Sequence, residues 1–400
     1  MDKIVTTGYG VKAPTSGDSE QFLKSLKEGT HGLELSSEFF NNNNTTIIGR
    51  VTEGIEEFET NREFKRYSRT TILGIAAAKE AISQANLSIE SDLYVNRVGF
   101  FLGTSIGDEP DGDFRAGIQH SNEKELHKVP LTFLHHANFH SITSAIAHFI
   151  GVKGIVRTIS TGCTAGLEAM EEAMLYLKNG LIDVAVVCGV DAPLCNATVY
   201  AFAKMRQLPL NQSLEEGAAP FSRQSKGFSI AEGAGVVILE RETDALKRKA
   251  TILGEIDSII SNNDGVNIYS SDPSGRQMIE ALKHSVKGRI PDYINSQALG
   301  LQTNDSIERI CSLELFGHEV PFTSIKGMIG HTFGASGVLQ VITSLLSINY
   351  GFIPPTIRTD KSGYEDMNIV METVYRDINE VAITNHGLGG NNACAYIKKY

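Results

Sequence analysis

The sequence predicts a layered α/β protein built from two similar halves. Short β-rich runs alternate with helical patterns along the whole chain. Several of these runs are almost continuously apolar, such as VAVVCGV at 184–190, which is typical of strands in a sheet covered on both faces. The segment at 324–348 repeats in weaker form the plan seen around Cys163, and this repetition indicates a duplicated unit.

The predicted strands are bounded by glycine, proline or polar residues. In chain order they are KIVTTGYG at 3–10, RVGFFLGTS at 97–105, VRTIST at 156–161, VAVVCGV at 184–190, GVVILE at 235–240, TILGEIDSI at 251–259, DYINS at 292–296, FTSIKG at 322–327, VAITNH at 381–386 and ACAYIKK at 393–399.

One amphipathic helix is predicted directly after Cys163. Gly166, Met170, Met174 and Leu177 share one face of it, and Gly180 is a candidate cap at its end. We place the division between the halves near residue 250, so that 1–250 carries the cysteine and 251–400 carries a histidine and glycine-rich loops. The polar run NNNNTT at 41–46 is interpreted as a surface loop.

Composition limits the possible functions. The net charge of −11 disfavours a chain that wraps nucleic acid, because phosphate neutralisation needs a basic surface. The five cysteines are scattered and lack metal-binding spacing, so we expect neither disulfides nor zinc, in keeping with a reducing cytoplasm. No signal-peptide pattern or membrane-spanning run is present, and a cytoplasmic protein is expected.

Cys163 and His331 are the candidate reactive pair. Cys163 stands in GCTAG before the predicted helix, where backbone N–H groups and the helix dipole favour a thiolate. His331 lies in a glycine-rich turn before a helix of small residues. A cysteine with a sequence-distant histidine is the minimal set for thiol-based acyl transfer. A buried structural cysteine and a structural histidine are the alternative interpretation.

Other polar motifs are weaker. The glycine-rich NHGLGGNNA at 385–393 allows close backbone approach but lacks the spacing of a dinucleotide site. Histidines cluster in FLHHANFHSITSAIAHF, but acidic partners at ligand spacing are missing, so we predict no metal site.

Together these motifs resemble the β-ketoacyl-[acyl carrier protein] synthases of the elongating type. The likeness runs in order from Lys3 to Lys398 through TGCTAGLEAM, PFSRQSKGFSIAEGAGVVILE, SIKGMIGHTFGASG, IPPTI and NHGLGGNNA. It implies the thiolase-like fold, a five-layered αβαβα arrangement of two duplicated halves. It also implies acyl transfer to the cysteine, followed by a decarboxylative Claisen condensation with malonyl-carrier protein.

The resemblance assigns a role to each matching residue. Cys163 matches the nucleophile, His331 the enolate-stabilising histidine, Lys326 its supporting lysine and Glu308 the glutamate that organises the catalytic loops. The backbone N–H groups of Cys163 and of the residue numbered His386 match the oxyanion hole. The implied substrate-binding residues are Phe228, Leu299, Leu301, His386, Gly387 and Leu388, and the implied carrier-protein docking residues are Arg62, Lys65, Arg66 and Arg206.

The pattern breaks in one loop. Gln297 stands where the family has its second active-site histidine, and Leu299 and Leu301 replace two threonines that bind the pantetheine arm. A glutamine amide donates hydrogen bonds but does not transfer a proton near neutral pH. His386 replaces the gatekeeping phenylalanine, and its imidazole either compensates for the lost histidine or admits a more polar chain.

The sequence leaves three functions open. We favour an active condensing enzyme in fatty acid or polyketide-type biosynthesis, with Gln297 as a second oxyanion donor. The second is a non-condensing partner subunit, similar to chain-length factors, although such partners typically lose the nucleophile. The third is a thioester hydrolase or acyltransferase.

The implied partners are acyl carrier protein and a second ketosynthase-like chain or a second copy, with phosphopantetheine delivered on the carrier and no other cofactor. The resemblance also implies dimerisation through the strand after the nucleophile helix, at 184–190.

Overall fold

The computed structural model describes residues 2–41, 43–89, 96–107 and 113–400. The strands are β1 Ile4–Lys12, β2 Leu33–Ser36, β3 Thr46–Gly49, β4 Val98–Gly103, β5 Val156–Ile159, β6 Val184–Asp191, β7 Ile230–Ala231, β8 Gly233–Arg241, β9 Gly254–Asn263, β10 Tyr293–Asn295, β11 Phe322–Thr323, β12 Phe352–Ile353, β13 Val374–Tyr375, β14 Glu380–His386 and β15 Asn391–Lys398. The helices are α1 Ser19–Glu28, α2 Glu56–Thr60, α3 Arg69–Gln84, α4 Asp113–Asn122, α5 Phe133–His136, α6 Phe139–Phe149, α7 Ala165–Lys178, α8 Asn196–Lys204, α9 Glu242–Lys247, α10 Arg276–Val286, α11 Gln302–Phe316, α12 Lys326–Ile329 and α13 Ser336–Tyr350.

The two halves have the same sheet topology. The N-terminal half has the strand order β5-β4-β6-β8-β1, and the C-terminal half has β11-β10-β14-β15-β9. In both, the first three strands are parallel and the last two pair antiparallel. A short antiparallel contact between β1 and β9 joins the two sheets. The predicted duplication is therefore present strand by strand.

The helices form three layers around the two sheets. α3 and α6 cover the outer face of the N-terminal sheet, and α10 packs on the outer face of the C-terminal sheet. α7 and α13 lie between the sheets, since each contacts strands of both. One hydrophobic cluster, which includes Leu167, Val187, Leu339 and Ile383, spans this central region. The arrangement is the predicted αβαβα sandwich.

Glycines let the two central helices approach each other at their N-termini. A β-carbon at Gly166 of α7 would lie 2.5 Å from the carbonyl oxygen of Gly334, and one at Gly337 of α13 would lie 2.6 Å from Cγ of Leu167. Such distances leave no room for a larger residue. The close crossing therefore brings the chain before α7 against the chain before α13.

All ten predicted strands are present, but some details differ. In FTSIKG only Phe322 and Thr323 are extended, and α12 begins at Lys326. Thr46, placed in the surface loop at 41–46, is buried and begins β3, while residue 42 lies outside the described residues. The sequence reading missed the short strands β2, β3, β7, β12 and β13, which lack long apolar runs.

The expectation that β6 pairs with another subunit is wrong. β6 lies inside the sheet, hydrogen-bonded to β4 on one side and to β8 on the other, so its backbone is not free to pair with another chain. Its apolar side chains are buried by helices of the same chain. The strand at the sheet's edge is β5, just before the cysteine. In the described parts of the chain, no helix is both long and apolar enough to cross a membrane.

The close crossing of α7 and α13 predicts that a methyl group added at Gly166 destabilises the protein. We expect Gly166→Ala to lower the free energy of unfolding by about 1–3 kcal/mol, because its β-carbon overlaps a backbone oxygen that is held in a packed core. Alanine's better helix propensity opposes this effect but is smaller. Chemical denaturation measures the change. The control is Leu175→Ala on the exposed face of α7, expected to change stability by about 0.5 kcal/mol or less. Equal stability of Gly166→Ala and the wild-type chain would contradict this packing.

Candidate active site

The nucleophile candidate lies at the junction of β5 and α7. After β5 the chain forms a short 3-10 helix, Gly162–Thr164, and α7 starts at Ala165. Gly162 has a φ of 79°, a left-handed conformation that glycine adopts without steric cost. This turn places Sγ of Cys163 at 3.0 Å from Nε2 of His331. The predicted pair is thus in direct contact.

His331 is held in place on both its backbone and its ring. Its N–H donates to the carbonyl of Ser229 at 2.8 Å, and its own carbonyl accepts from Ala231 at 3.1 Å. Nδ1 lies 3.2 Å from the hydroxyl of Ser336. Because a hydroxyl can donate or accept, Ser336 supports either neutral tautomer of the imidazole. Burial lowers the pKa of His331 well below its ordinary value, and Lys326 and His386 lower it further.

The surroundings of Cys163 favour the protonated thiol over the thiolate. Burial raises its pKa to about 12, with Asp191 adding to the rise, while Lys326 and the N–H groups of Cys163 and Leu388 oppose it. The expectation that the helix start would favour a thiolate is therefore wrong, because desolvation outweighs the helix end and the nearby cation. The N–H of Leu388 was not predicted to face the sulfur, and it joins that of Cys163 as a candidate oxyanion donor.

Lys326 and Glu308 lie behind the reactive pair. Both are buried, and Nζ of Lys326 makes no hydrogen bond among the described residues. Desolvation lowers the pKa of Lys326 to about 7, against the attraction of Cys163 and Glu308. Glu308 accepts a 2.7 Å hydrogen bond from the Thr384 hydroxyl. This lysine can therefore gain or lose a proton near neutral pH.

His386 contacts protein groups at both ring nitrogens. Nε2 is 3.2 Å from a carboxylate oxygen of Glu308, but neither of these two atoms makes a hydrogen bond among the described residues. Nδ1 is 3.4 Å from the amide nitrogen of Asn304. The imidazole is buried rather than at the mouth of the pocket.

Gln297 is buried, and no hydrogen bond among the described residues joins it to Cys163 or His331. Its amide nitrogen lies 3.5 Å from the carbonyl oxygen of His386, and its amide oxygen has no hydrogen-bond partner among the described residues. Nor does it line the cavity over Cys163. The structure therefore brings Cys163 and His331 together and places Gln297, which follows β10, against the backbone of His386 at the end of β14.

A cavity of about 370 Å³ opens onto the sulfur. Eight predicted residues line it: Cys163, Phe228, Leu299, Leu301, His331, His386, Gly387 and Leu388. The remaining lining residues were not predicted: Ser105, Ile106, Gly162, Phe202, Gln207, Tyr269, Ser270, Ser271, Thr303, Asn304 and Phe333. They come from loops and helices whose convergence depends on the fold, although Gly162 and Phe333 lie in the two motifs that carry Cys163 and His331.

The predicted docking residues lie on the surface. Arg62, Lys65 and Arg66 are exposed on a 3-10 helix at Arg62–Arg66, and Arg206 is exposed after α8. The structure also brings together a surface group that the sequence did not suggest, His120 with Glu123 and Glu125. Exposed acidic groups of this kind are common without an ion, and Lys128 already pairs with Glu125.

The β-ketoacyl synthase N-terminal domain matches residues 1–245, and the β-ketoacyl synthase C-terminal domain matches residues 253–360. The chain belongs to the β-ketoacyl synthase family. The resemblance stated from the motifs, the thiolase-like fold and the enzyme class, a condensing acyltransferase of the 3-oxoacyl-[acyl carrier protein] synthase type, are thereby confirmed. The boundary near 250 and the residue roles stay predictions.

The relatives of this β-ketoacyl synthase include a subunit of a polyketide synthase and a 3-oxoacyl-[acyl-carrier-protein] synthase. The chain is 28% identical to the tetracenomycin polyketide synthase ketoacyl synthase alpha subunit of Streptomyces glaucescens, over 99% of this chain and 97% of the relative. It is also 28% identical to 3-oxoacyl-[acyl-carrier-protein] synthase 1 of Escherichia coli, over 100% and 99%. Among solved structures, a β-ketoacyl synthase from Burkholderia phymatum matches with a TM-score of 0.90 at 20% identity, covering both chains fully. The ishigamide ketosynthase/chain length factor matches at 0.88 and 22%, over 100% and 99%.

The protonated thiol predicts a particular pH dependence of alkylation. Because the pKa of Cys163 is raised to about 12, we expect its reaction with iodoacetamide to accelerate about tenfold per pH unit up to about pH 9, without a plateau. Peptide mass spectrometry assigns the modified site. Cys163→Ser is the control, since the other cysteines are buried. A plateau below neutral pH would reveal a preformed thiolate and contradict this assignment.

Proposed function

We propose that the chain is an active condensing enzyme that joins an acyl group on Cys163 to malonyl-carrier protein in fatty acid or polyketide-type biosynthesis. The observation that carries the proposal is the 3.0 Å contact between Sγ of Cys163 and Nε2 of His331 at the floor of a cavity. Nucleophile and base lie within hydrogen-bond reach, and the base is oriented by a third group, Ser336.

Acyl transfer needs a base because the thiol is neutral. Nε2 of His331 takes the proton as Sγ attacks the carbonyl carbon of the incoming thioester. The negative charge on the carbonyl oxygen is met by the N–H groups of Cys163 and Leu388, a contribution of about 3 kcal/mol for each well-placed donor. Collapse of the intermediate expels the pantetheine thiolate, and the imidazolium returns the proton to it. The acyl group is then a thioester of Cys163.

Condensation uses the other tautomer of the same imidazole. When the Ser336 hydroxyl donates to Nδ1, Nε2–H of His331 donates to the thioester oxygen of the malonyl group. Loss of carbon dioxide leaves an enolate that this hydrogen bond stabilises. The enolate carbon attacks the acyl carbonyl, the carbon–sulfur bond breaks, and Sγ leaves as a thiolate. Lys326, whose pKa is about 7, is suited to supply the proton that restores the thiol.

The departures from the family pattern alter one wall of the cavity. We assign Gln297 to holding the His386 segment through its 3.5 Å contact with that backbone carbonyl, so the donor role falls on His331. Phosphopantetheine arrives on the carrier protein, and Arg62, Lys65, Arg66 and Arg206 are the proposed docking residues for that acidic partner. A cytoplasmic location and a homodimer or a heterodimer with a second ketosynthase-like chain complete the proposal.

A partner subunit without condensing activity is the second candidate. Gln297 in place of a histidine favours it, and the ishigamide ketosynthase/chain length factor is among the structures with this fold. Against it stands the intact Cys163–His331 contact, which a non-catalytic subunit does not need.

One mixture separates these functions. We expect the purified protein, given acyl- and malonyl-carrier protein, to form an acyl adduct at Cys163 and a product two carbons longer, read by intact mass. Cys163→Ala is expected to form neither. A missing adduct together with co-purification of a second ketosynthase chain would instead identify a partner subunit. An adduct released only as free acid would identify a hydrolase.

The proposed base predicts a second result. His331→Ala is expected to slow acyl loading of Cys163 by about 10²–10⁴-fold, because the neutral thiol loses its proton acceptor. Single-turnover loading followed by intact mass measures the rate. The matched control is His140→Ala, an exposed histidine on α6, which should load at the wild-type rate. Loading of His331→Ala within a factor of about three of wild type would remove the histidine from this step.

A further inference from the structure

Three aromatic rings line the cavity that contains Cys163. Phe202 comes from α8, Phe228 from the chain before β7, and Phe333 from the turn before α13. Their ring centroids are 5.3 Å apart for Phe202 and Phe333, 5.5 Å for Phe202 and Phe228, and 5.9 Å for Phe228 and Phe333. These are contact distances for aromatic rings, so the three rings pack against one another as one continuous apolar surface.

Phe333 has an unusual backbone for an aromatic residue. Its φ is 47°, in the left-handed region where a β-carbon crowds the following carbonyl. Such a conformation persists only where the surroundings enforce it. Here His331 is fixed on one side by its hydrogen bonds to the Ser229 and Ala231 backbones. On the other side, the N–H of Gly334 donates to the Asp191 carboxylate at 2.7 Å.

The left-handed turn directs the ring of Phe333 toward the reactive pair. The ring packs on the imidazole of His331, with centroids 4.6 Å apart and planes 31° apart. Although only 2% of the residue is exposed, it lines the cavity together with Cys163. A glycine at this position would adopt the same backbone without strain. The protein therefore keeps a strained backbone at a position that also places a large side chain next to the nucleophile.

We propose that Phe333 limits the length of the acyl chain that Cys163 accepts, so that the enzyme is specific for short acyl groups. The inference rests on the proposed function, since it concerns the acyl group carried by that sulfur. An acyl chain that extends from Sγ toward the rings ends against Phe333, with Phe202 and Phe228 closing the space on either side. The ring of Phe333 lies against the imidazole of His331 at 4.6 Å, and Phe228 meets the same imidazole edge-on at 5.2 Å. A longer chain must therefore displace a ring that its neighbours and its own backbone hold in place.

The test is the chain-length profile of acyl loading. Wild-type protein, in the assembly in which it purifies, is mixed with carrier proteins bearing chains from acetyl to palmitoyl, and the rate of adduct formation at Cys163 is read by intact mass. We expect fast loading of acetyl and butyryl and slow loading of octanoyl and longer chains. Phe333→Leu and Phe333→Gly should raise the octanoyl-to-acetyl rate ratio by about tenfold or more.

Phe221→Leu is the matched control. Phe221 is also a buried phenylalanine with a left-handed backbone, φ 55°, but its ring packs against Tyr364, away from the cavity. It should show the wild-type chain-length profile whatever its stability.

Two results would overturn the length limit alone: wild-type protein that loads palmitoyl as fast as acetyl, or Phe333 variants that load acetyl but keep the wild-type ratio. The first needs no variant and so does not depend on variant folding. Failure of wild-type protein to load any chain would instead overturn the proposed function, and the length limit with it.

Discussion

The contact between the Cys163 sulfur and the His331 imidazole joins the two halves of the molecule. Each half supplies one member from the same place in its topology, the turn between a parallel strand and the central helix that follows it. The two turns meet because α7 and α13 cross where Gly166 and Gly337 face backbone and side-chain atoms of the other helix. Duplication alone would give two similar but separate turns. The close crossing of α7 and α13 brings the two turns together in one site.

Burial sets the protonation of that site. The desolvation that raises the pKa of Cys163 also lowers the pKa values of His331 and Lys326. A charged form of any one of them lacks water to stabilise it. The reactive pair is therefore a neutral thiol hydrogen-bonded to a neutral imidazole, and reactivity depends on proton transfer within the pair when a thioester enters. Ser336, which accepts from or donates to the ring, allows the same histidine to serve as base in one step and as donor in the next.

The strands and helices that have a strong local sequence pattern could be predicted from the sequence. Apolar runs located all the main strands, and the small residues after Cys163 and His331 located both central helices. The short strands and the aromatic wall were missed, because they depend on which distant segments converge. The charge state of Cys163 was predicted wrongly for a related reason: a helix start is visible in sequence, whereas the desolvation that outweighs it exists only in the folded chain. The interface strand was misplaced because an apolar run shows burial but not which neighbour provides it.

The position of His386 in the fold shows what this histidine contributes to the cavity. Sequence alone leaves open whether this imidazole replaces the histidine missing at Gln297. In the fold, one ring nitrogen faces Glu308 at 3.2 Å and the other lies 3.4 Å from the amide nitrogen of Asn304, so both nitrogens are directed at groups of the protein. His386 thus belongs to the cavity wall, where it adds polarity. Removal of the thiol proton during acyl loading then falls to His331, the imidazole whose Nε2 contacts Sγ.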